Sequence, residues 1–534
     1  MPKDFGPPID FYENTVGLTT MNSGIRVPDG GCKDVKNINY FPIGGFSTRN
    51  GYTRLNGTAF NSGAIMTSLY FKSQSSGTNI LIGTGGSAIG YMSDLDGTWH
   101  DLTGGLTLTA GQDNLWNWAI LNDIAVGANG VDNCIQVSTV PAAATIGTAT
   151  FSSALFVVEY RGYMFYGNLV ESSVALPDRL RFSNNAAPGT LTSTDLITVH
   201  SKTGGTLRGA IVYKDRLLCF KENAIYEIIF QPTRVASDGT LFPFIQNPNP
   251  LLVGIGAQSH RTLVHFTTPS THTSPGDYVF FIDQNGMPRI YSSGASSFQV
   301  GYPIGLSRDS SIESISSCTR STTALRSMWA VNYPERNQIW VFMPISTQMD
   351  RCWVLDYSVN WAWGKHVFAD SFTCGALVKH TDGTWRVLTG DRNGYTVRHD
   401  TGNLDNATAI SAFYRTGDVH RAGGSPVERS NWPFMEVKGT SGSSSQSMAV
   451  TFYKDSEDIA SSSAQVILYA AEGIWGAGTK WGQFKWAKKG LVNRTVTPNV
   501  DAKTIGIKFS NVSGSQLTVE GFTLIPNAQG LYHE

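Results

Sequence analysis

The sequence predicts an all-β protein: a β-propeller of about seven blades, with six or eight left open by the spacing, followed by a C-terminal β-sandwich. Two observations carry this expectation. The first is composition. Of 534 residues, 41% are hydrophobic and only 15% charged, while glycine reaches 56. An average domain is about a quarter charged. Here glycine, serine and threonine take the place of Lys, Glu and Arg, the balance of a turn-rich sheet protein. The second is a recurring phrase. The apolar run Ile124-Ala125-Val126-Gly127-Ala128 enters Asn129-Gly130 and leaves as Cys134-Ile135-Gln136-Val137. Asn and Gly tolerate the positive φ that both central residues of a tight hairpin turn need, so the phrase reads as a hairpin.

Residues 1–35 are rich in Gly, Pro, Asn and Asp without periodicity, and read as an extended arm ordered by lying on the rest of the chain. Asn37 to Gly45 gives a strand and a Pro-Gly turn, returning through Arg49-Asn50-Gly51-Tyr52. The propeller is assigned to 36–403. Copies of the hairpin phrase run from Ile80 to Tyr91, Ile124 to Val137, Tyr163 to Phe182, Leu217 to Ile228, Val279 to Tyr291, Ile339 to Asp356 and Trp385 to Val397. Their spacing averages roughly 50 residues, close to one four-stranded blade with its loops. The phrase from Asp96 to Gly104 returns from Asp382 to Gly390, which suggests equivalent positions in the first and last blades. From about 404 to 534 the strands lengthen, as in Met448 to Tyr453 and Leu517 to Ile525. This part reads as a jelly-roll or Ig-like sandwich.

Composition also excludes. A net charge of −1 argues against a protein whose main task is gripping nucleic acid, though not against a surface past which DNA slides. The six cysteines are scattered without a Cys-x-x-Cys pair and read as buried free thiols. No secretory leader is visible in Met1 to Pro8, and the apolar run Ala154 to Val158 is strand-sized, so no membrane span is expected.

Signals for chemistry are weak. Gly83-Thr84-Gly85-Gly86-Ser87-Ala88 has dinucleotide-fingerprint spacing, but it continues as a strand where the pyrophosphate site needs a helix. Asp94-Leu95-Asp96-Gly97 lacks the later ligands of a calcium loop. The same stretch, Ser93 to Trp99, and Thr381 to Trp385 are near-misses of a sialidase Asp box, a structural turn in any case. Glycan cleavage needs two facing carboxylates, and Glu159, Glu171, Glu222, Glu227 and Asp283 qualify by residue type only. His260, His265 and His272 form a loose cluster read as ordinary hydrogen-bonded histidines. No catalytic, cofactor or metal site is therefore assigned. The one candidate patch is Lys480, Trp481, Lys485, Trp486, Lys488 and Lys489, where bases and aromatics interleave as in a strand-tracking groove. The plainer alternative is a sandwich strand with Trp481 and one or both of Phe484 and Trp486 in the core; a subunit interface is a third reading.

Several phrases, in order, carry a family resemblance. They are Pro42-Ile43-Gly44-Gly45 with Arg49-x-Gly51-Tyr52, and Trp116-x-Trp118 followed by Asn129-Gly130-x-Asp132. Next come Leu180-Arg181-Phe182-Ser183 followed by Ala187-Pro188-Gly189, and Leu217 to Tyr226 followed by Val253-Gly254-Ile255-Gly256-Ala257. With the Trp-rich stretch Trp475 to Trp486, the chain resembles the tail-nozzle and hub proteins of short-tailed bacteriophages, including the packaged-DNA-stabilisation type. The resemblance implies a non-enzymatic virion protein without cofactors, assembled in the host cytoplasm into a homohexameric ring of the tail. Its implied partners are its own copies, adaptor and portal-side proteins, tail fibres or spikes, and the genomic DNA in the lumen. The alternatives are a propeller that binds a receptor or glycan, and one that cleaves glycans.

Overall fold

The computed structural model describes residues 7–528 apart from 13–15, 22–25, 42–43, 62, 112–113, 139–142, 147–149, 201–202, 236–241, 271, 273, 293–295, 308–310, 347–348, 381, 421–428, 442–445, 469–491, 513 and 515. Each of the seven hairpin phrases forms the middle pair of one antiparallel four-stranded meander. Blades 1 to 5 occupy residues 65–101, 117–146, 153–198, 207–253 and 264–299. Blade 6 spans 329–367. Blade 7 takes three strands from 372–399 and its fourth, Tyr52–Arg54, from near the N-terminus.

The middle strands are solid apolar runs because a blade is buried on both faces, and alternate residues serve opposite neighbours. In blade 1, Ile80 and Ile82 pack with Trp116, Ala125 and Ile135 of blade 2 and its approach, while Leu81 packs with Val378 and Leu388 of blade 7. In blade 4, Leu217 and Cys219 join Phe165 and Phe182 of blade 3, while Leu218 and Phe220 join Val279 and Phe281 of blade 5. Phe280 and Ile290 then meet Ile339 and Trp353 of blade 6, and Phe342 meets Phe372 and Val387 of blade 7. Val126 of blade 2 meets Ala154 and Val157 of blade 3, which completes the circle. Each such side chain contributes roughly 1.5–3 kcal/mol when fully buried.

Two turn assignments change. The strands around Asn129 end at Ala128 and resume at Cys134, so the connection is longer than a two-residue turn. Gly130 has a φ of 81°, but Asn129 keeps its φ out of the left-handed region and works through its side chain. Its Oδ1 accepts from the N–H groups of Val131 at 3.0 Å and Asp132 at 2.8 Å. The phrases at Asp96 and Asp382 are likewise not equivalent positions. Asp96 turns the chain between the third and fourth strands of blade 1, and Asp382 between the first and second strands of blade 7. What they share is local chemistry, since each carboxylate accepts from the N–H two residues on, at 2.9 Å.

The remaining strands form two facing sheets that share one apolar core, in which Phe509 lies 5.1 Å from Phe522 and 5.7 Å from Phe46. Both chain ends supply them, unlike the sequence-based division at residues 35 and 403. Ile9–Phe11 pairs with Leu517–Ala528, and Phe46–Thr48 pairs with the same long strand. Gly31–Lys36 pairs with Phe413–Thr416, while Leu404–Asp405 stays with blade 7. The arm is thus built into the sheets in its described parts. Gly17–Leu18 runs parallel between Gly31–Lys36 and the last strand of blade 6, Ala362–Val367. That short strand joins blade 6 to the facing-sheet layer in one continuous ten-stranded sheet. No helix among the described residues is long and apolar enough to cross a membrane.

Candidate functional site

A buried polar constellation lies where the propeller meets the facing sheets. Arg49 follows the strand Phe46–Thr48 and precedes the blade 7 strand Tyr52–Arg54, so its backbone bridges both parts. Its side chain is 3% exposed and reaches both carboxylate oxygens of Asp405, at 2.8 and 2.5 Å. It also donates to Asn37 Oδ1 at 2.8 Å, to the Asn50 carbonyl at 2.9 Å and to the Val367 carbonyl at 3.0 Å, with the Phe368 ring 4.3 Å away. Asn37 extends the network: its Nδ2 donates to the Ser411 carbonyl, and its Oδ1 accepts from Val367 N–H at 2.7 Å. A planar fork with five donors suits this convergence of carboxylate and carbonyls. The rest of the phrase fits the same joint. A Cβ on Gly51 would collide with the Leu404 carbonyl, and the buried Tyr52 donates its hydroxyl to Asp370 at 2.7 Å.

A second ionic cluster lies on the continuous sheet. Lys365 Nζ is 3.4 Å from both Asp34 and Glu313, Arg351 is 3.0 Å from Glu313, and Arg351 also pairs with Asp350 at 2.7 Å. Burial raises the Asp34 carboxyl above its ordinary value despite Lys365. Burial opposes charge on Glu313 too, but Arg351 and Lys365 outweigh it and hold that carboxyl below its ordinary value. Lys36 and Lys508 are pushed down, mainly by burial. Asp458 pins the next strands, with Lys33 at 3.2 Å and Arg415 at 2.9 Å.

The carboxylates considered for catalysis are each engaged within their own blade. Glu159 accepts from Gly162 N–H at 2.8 Å in a turn. Glu171 pairs with Arg179 and Arg181, each at 2.8 Å. Glu222 pairs with Arg208 and accepts from Thr206 Oγ1, and Glu227 pairs with Arg216 at 2.6 Å and accepts from Asn247. Asp283 caps its own turn and pairs with Arg289 at 2.6 Å. Each therefore has a structural task in its own hairpin, as expected of turn and ladder carboxylates.

The glycine run at Gly83 joins two strands, Asn79–Gly85 and Ala88–Ser93, and opens no helix. His260 stacks on Phe156 at 5.2 Å, His265 is exposed on its strand, and His272 packs on Trp361 at 4.7 Å. Among the described residues no group of three or more His, Cys, Asp or Glu gathers as a metal set. All six cysteines are free and buried; burial pushes the Cys32 and Cys134 thiols up to about 12. The Lys480, Trp481, Lys485, Trp486, Lys488 and Lys489 patch lies outside the described residues.

Sequence reasoning quoted Arg49 but missed its role. The partner Asp405 stands 356 positions away, and nothing local to either residue announces the pair.

No protein-family description matches the chain, and no curated protein matches it. Among solved structures, similarity extends to BBS1N in complex with ARL6DN, in crystals soaked with mercury or with lead. Both align at 10% identity with a TM-score of 0.39, covering 66% and 67% of this chain and 98% and 99% of those chains. A likeness this distant carries no functional argument, and the propeller assignment rests on the strand pairing itself.

Proposed function

We propose that this chain is a structural protein of a bacteriophage tail, one subunit of a homohexameric nozzle or hub ring below the portal and adaptor. In this reading the ring forms the exit conduit for the genome and helps retain packaged DNA. It docks adaptor-side proteins and tail fibres or spikes, and performs no catalysis. The ordered sequence phrases shared with such proteins motivate the proposal.

The observation that supports it most is the continuous ten-stranded sheet from blade 6 into the facing sheets, locked by the Arg49 joint. A wall facing pressurised DNA must transmit force without a hinge. A strand shared by the two parts, pairing at Gly17 with Trp363 of blade 6, with a buried fork of charge beside it, supplies that stiffness. The near-zero net charge also suits a conduit, because a strongly basic wall would hold DNA by counterion release instead of letting it pass.

Mass photometry of the purified full chain tests the proposal. Six copies per closed particle is the expected mass class; a strict monomer at virion-like concentration and salt would refute it.

A further inference from the structure

A cavity of about 360 Å3 opens where the first strands of several blades begin. Ser327 lies just before blade 6, Thr373 opens blade 7, and Leu115 approaches blade 2; all three line it. Arg392, in the turn between the middle strands of blade 7, forms one wall. Among the described residues no carboxylate lines the space.

Its polar lining can be separated into donors and acceptors. The hydroxyls of Thr319 and Ser327 give their protons to the carbonyls of Ser346 and Ala324, at 3.2 and 2.8 Å, and that of Thr373 gives its proton to the Ile65 carbonyl, with the Gly390 carbonyl at 3.1 Å. These three offer only lone pairs to a ligand. Ser321 differs, because its Oγ accepts from Ala324 N–H at 3.3 Å and keeps its own proton. Thr323 and Ser346 also line the cavity, and their hydroxyl protons are not committed to any partner among the described residues. Three O–H donors and a guanidinium therefore border one small space.

The surroundings are cationic. Arg261 lies behind the wall and donates to the carbonyls of Ser327, at 3.3 Å, and Thr373. Arg392 on the wall and Arg261 behind it, beside a lining without carboxylates among the described residues, favour an anion. Hydroxyl and guanidinium donors from three chain segments suit an anion with several acceptor oxygens, such as phosphate.

We propose that this cavity binds a phosphate group, free or carried by a nucleic-acid strand, through Ser321, Thr323, Ser346 and Arg392. Equilibrium dialysis of the full chain against labelled inorganic phosphate is the direct test, with 5′-phosphorylated and unphosphorylated oligonucleotides as competitors. Saturable binding is expected, weakened about ten-fold by T323V and at least as much by R392Q, since each removes a bond to a charged group. Thr323 is exposed, so T323V should keep the parent melting temperature even if R392Q does not fold.

Competition by the phosphorylated strand alone assigns a strand terminus, and equal competition by both strands assigns the backbone diester. Competition by neither assigns free phosphate. Absence of saturable phosphate binding, or binding unchanged in a folded T323V, overturns the proposal. The measurement requires no ring, so its failure and that of the tail reading are distinguishable.

Discussion

At Arg49 one buried guanidinium serves Asp405, Asn37 and two backbone carbonyls drawn from widely separated parts of the chain. Removing it by R49M leaves the Asp405 carboxylate buried without its partner. A broken buried pair costs about 3–5 kcal/mol, much of it the stranded charge. The double variant R49M/D405N should therefore recover part of that loss in urea denaturation followed by tryptophan fluorescence. Equal instability of the single and double variants would show that the pair does not act as a unit. Glycine gives a sharper contrast. G51A should lower the melting temperature because its Cβ meets the Leu404 carbonyl, whereas G57A, with open space around it, should leave the temperature unchanged. At this scale the sequence was half legible. Arg49, Gly51 and Tyr52 stand out as a phrase, but Asp405 and Asn37 join them only through the fold.

The hairpins were the most legible elements. A run such as Val279-Phe280-Phe281-Ile282 has no polar face because its alternate residues enter two different interblade cores. That continuous pattern distinguishes a blade from a sheet with one wet side. F220A, which empties a fully buried position between blades 4 and 5, should cost about 3–5 kcal/mol. A loss below 1 kcal/mol in the same denaturation assay would contradict that packing. Turns were less legible, because one chemistry serves several positions. The Asp–x–Thr turns at Asp96 and Asp382 look alike in sequence but occupy different corners of their blades. The facing-sheet strands near the N-terminus were illegible for a simpler reason. Segments of two or three residues, such as Gly17–Leu18 and Ile9–Phe11, are too short to show a period.

The whole molecule closes through its ends, since Tyr52–Arg54 completes blade 7 and the flanking strands complete the facing sheets. A chain lacking residues 1–54 should therefore expose the Thr396–His399 edge and aggregate or be cleaved rapidly in limited proteolysis. Acid should act on the whole body as well. Burial lowers His260 to about 4 and His366 to about 3, and it carries His399 well below the ordinary histidine value. Their folded pKa values lie below the unfolded one, so their stabilisation is fully present above about pH 6.5 and is lost as pH falls toward those values. Asp34, Asp356 and Asp391, raised by burial, act in the opposite direction once carboxyl groups begin to titrate. The histidine effect is thus clearest between about pH 6.5 and pH 5, where the melting temperature should fall. A flat profile across that window would contradict it. The most direct test of the tail-ring account is imaging of purified assemblies by electron microscopy. The account predicts six subunits closed around a hole wide enough for duplex DNA; isolated subunits, or particles with no through-hole, would contradict it.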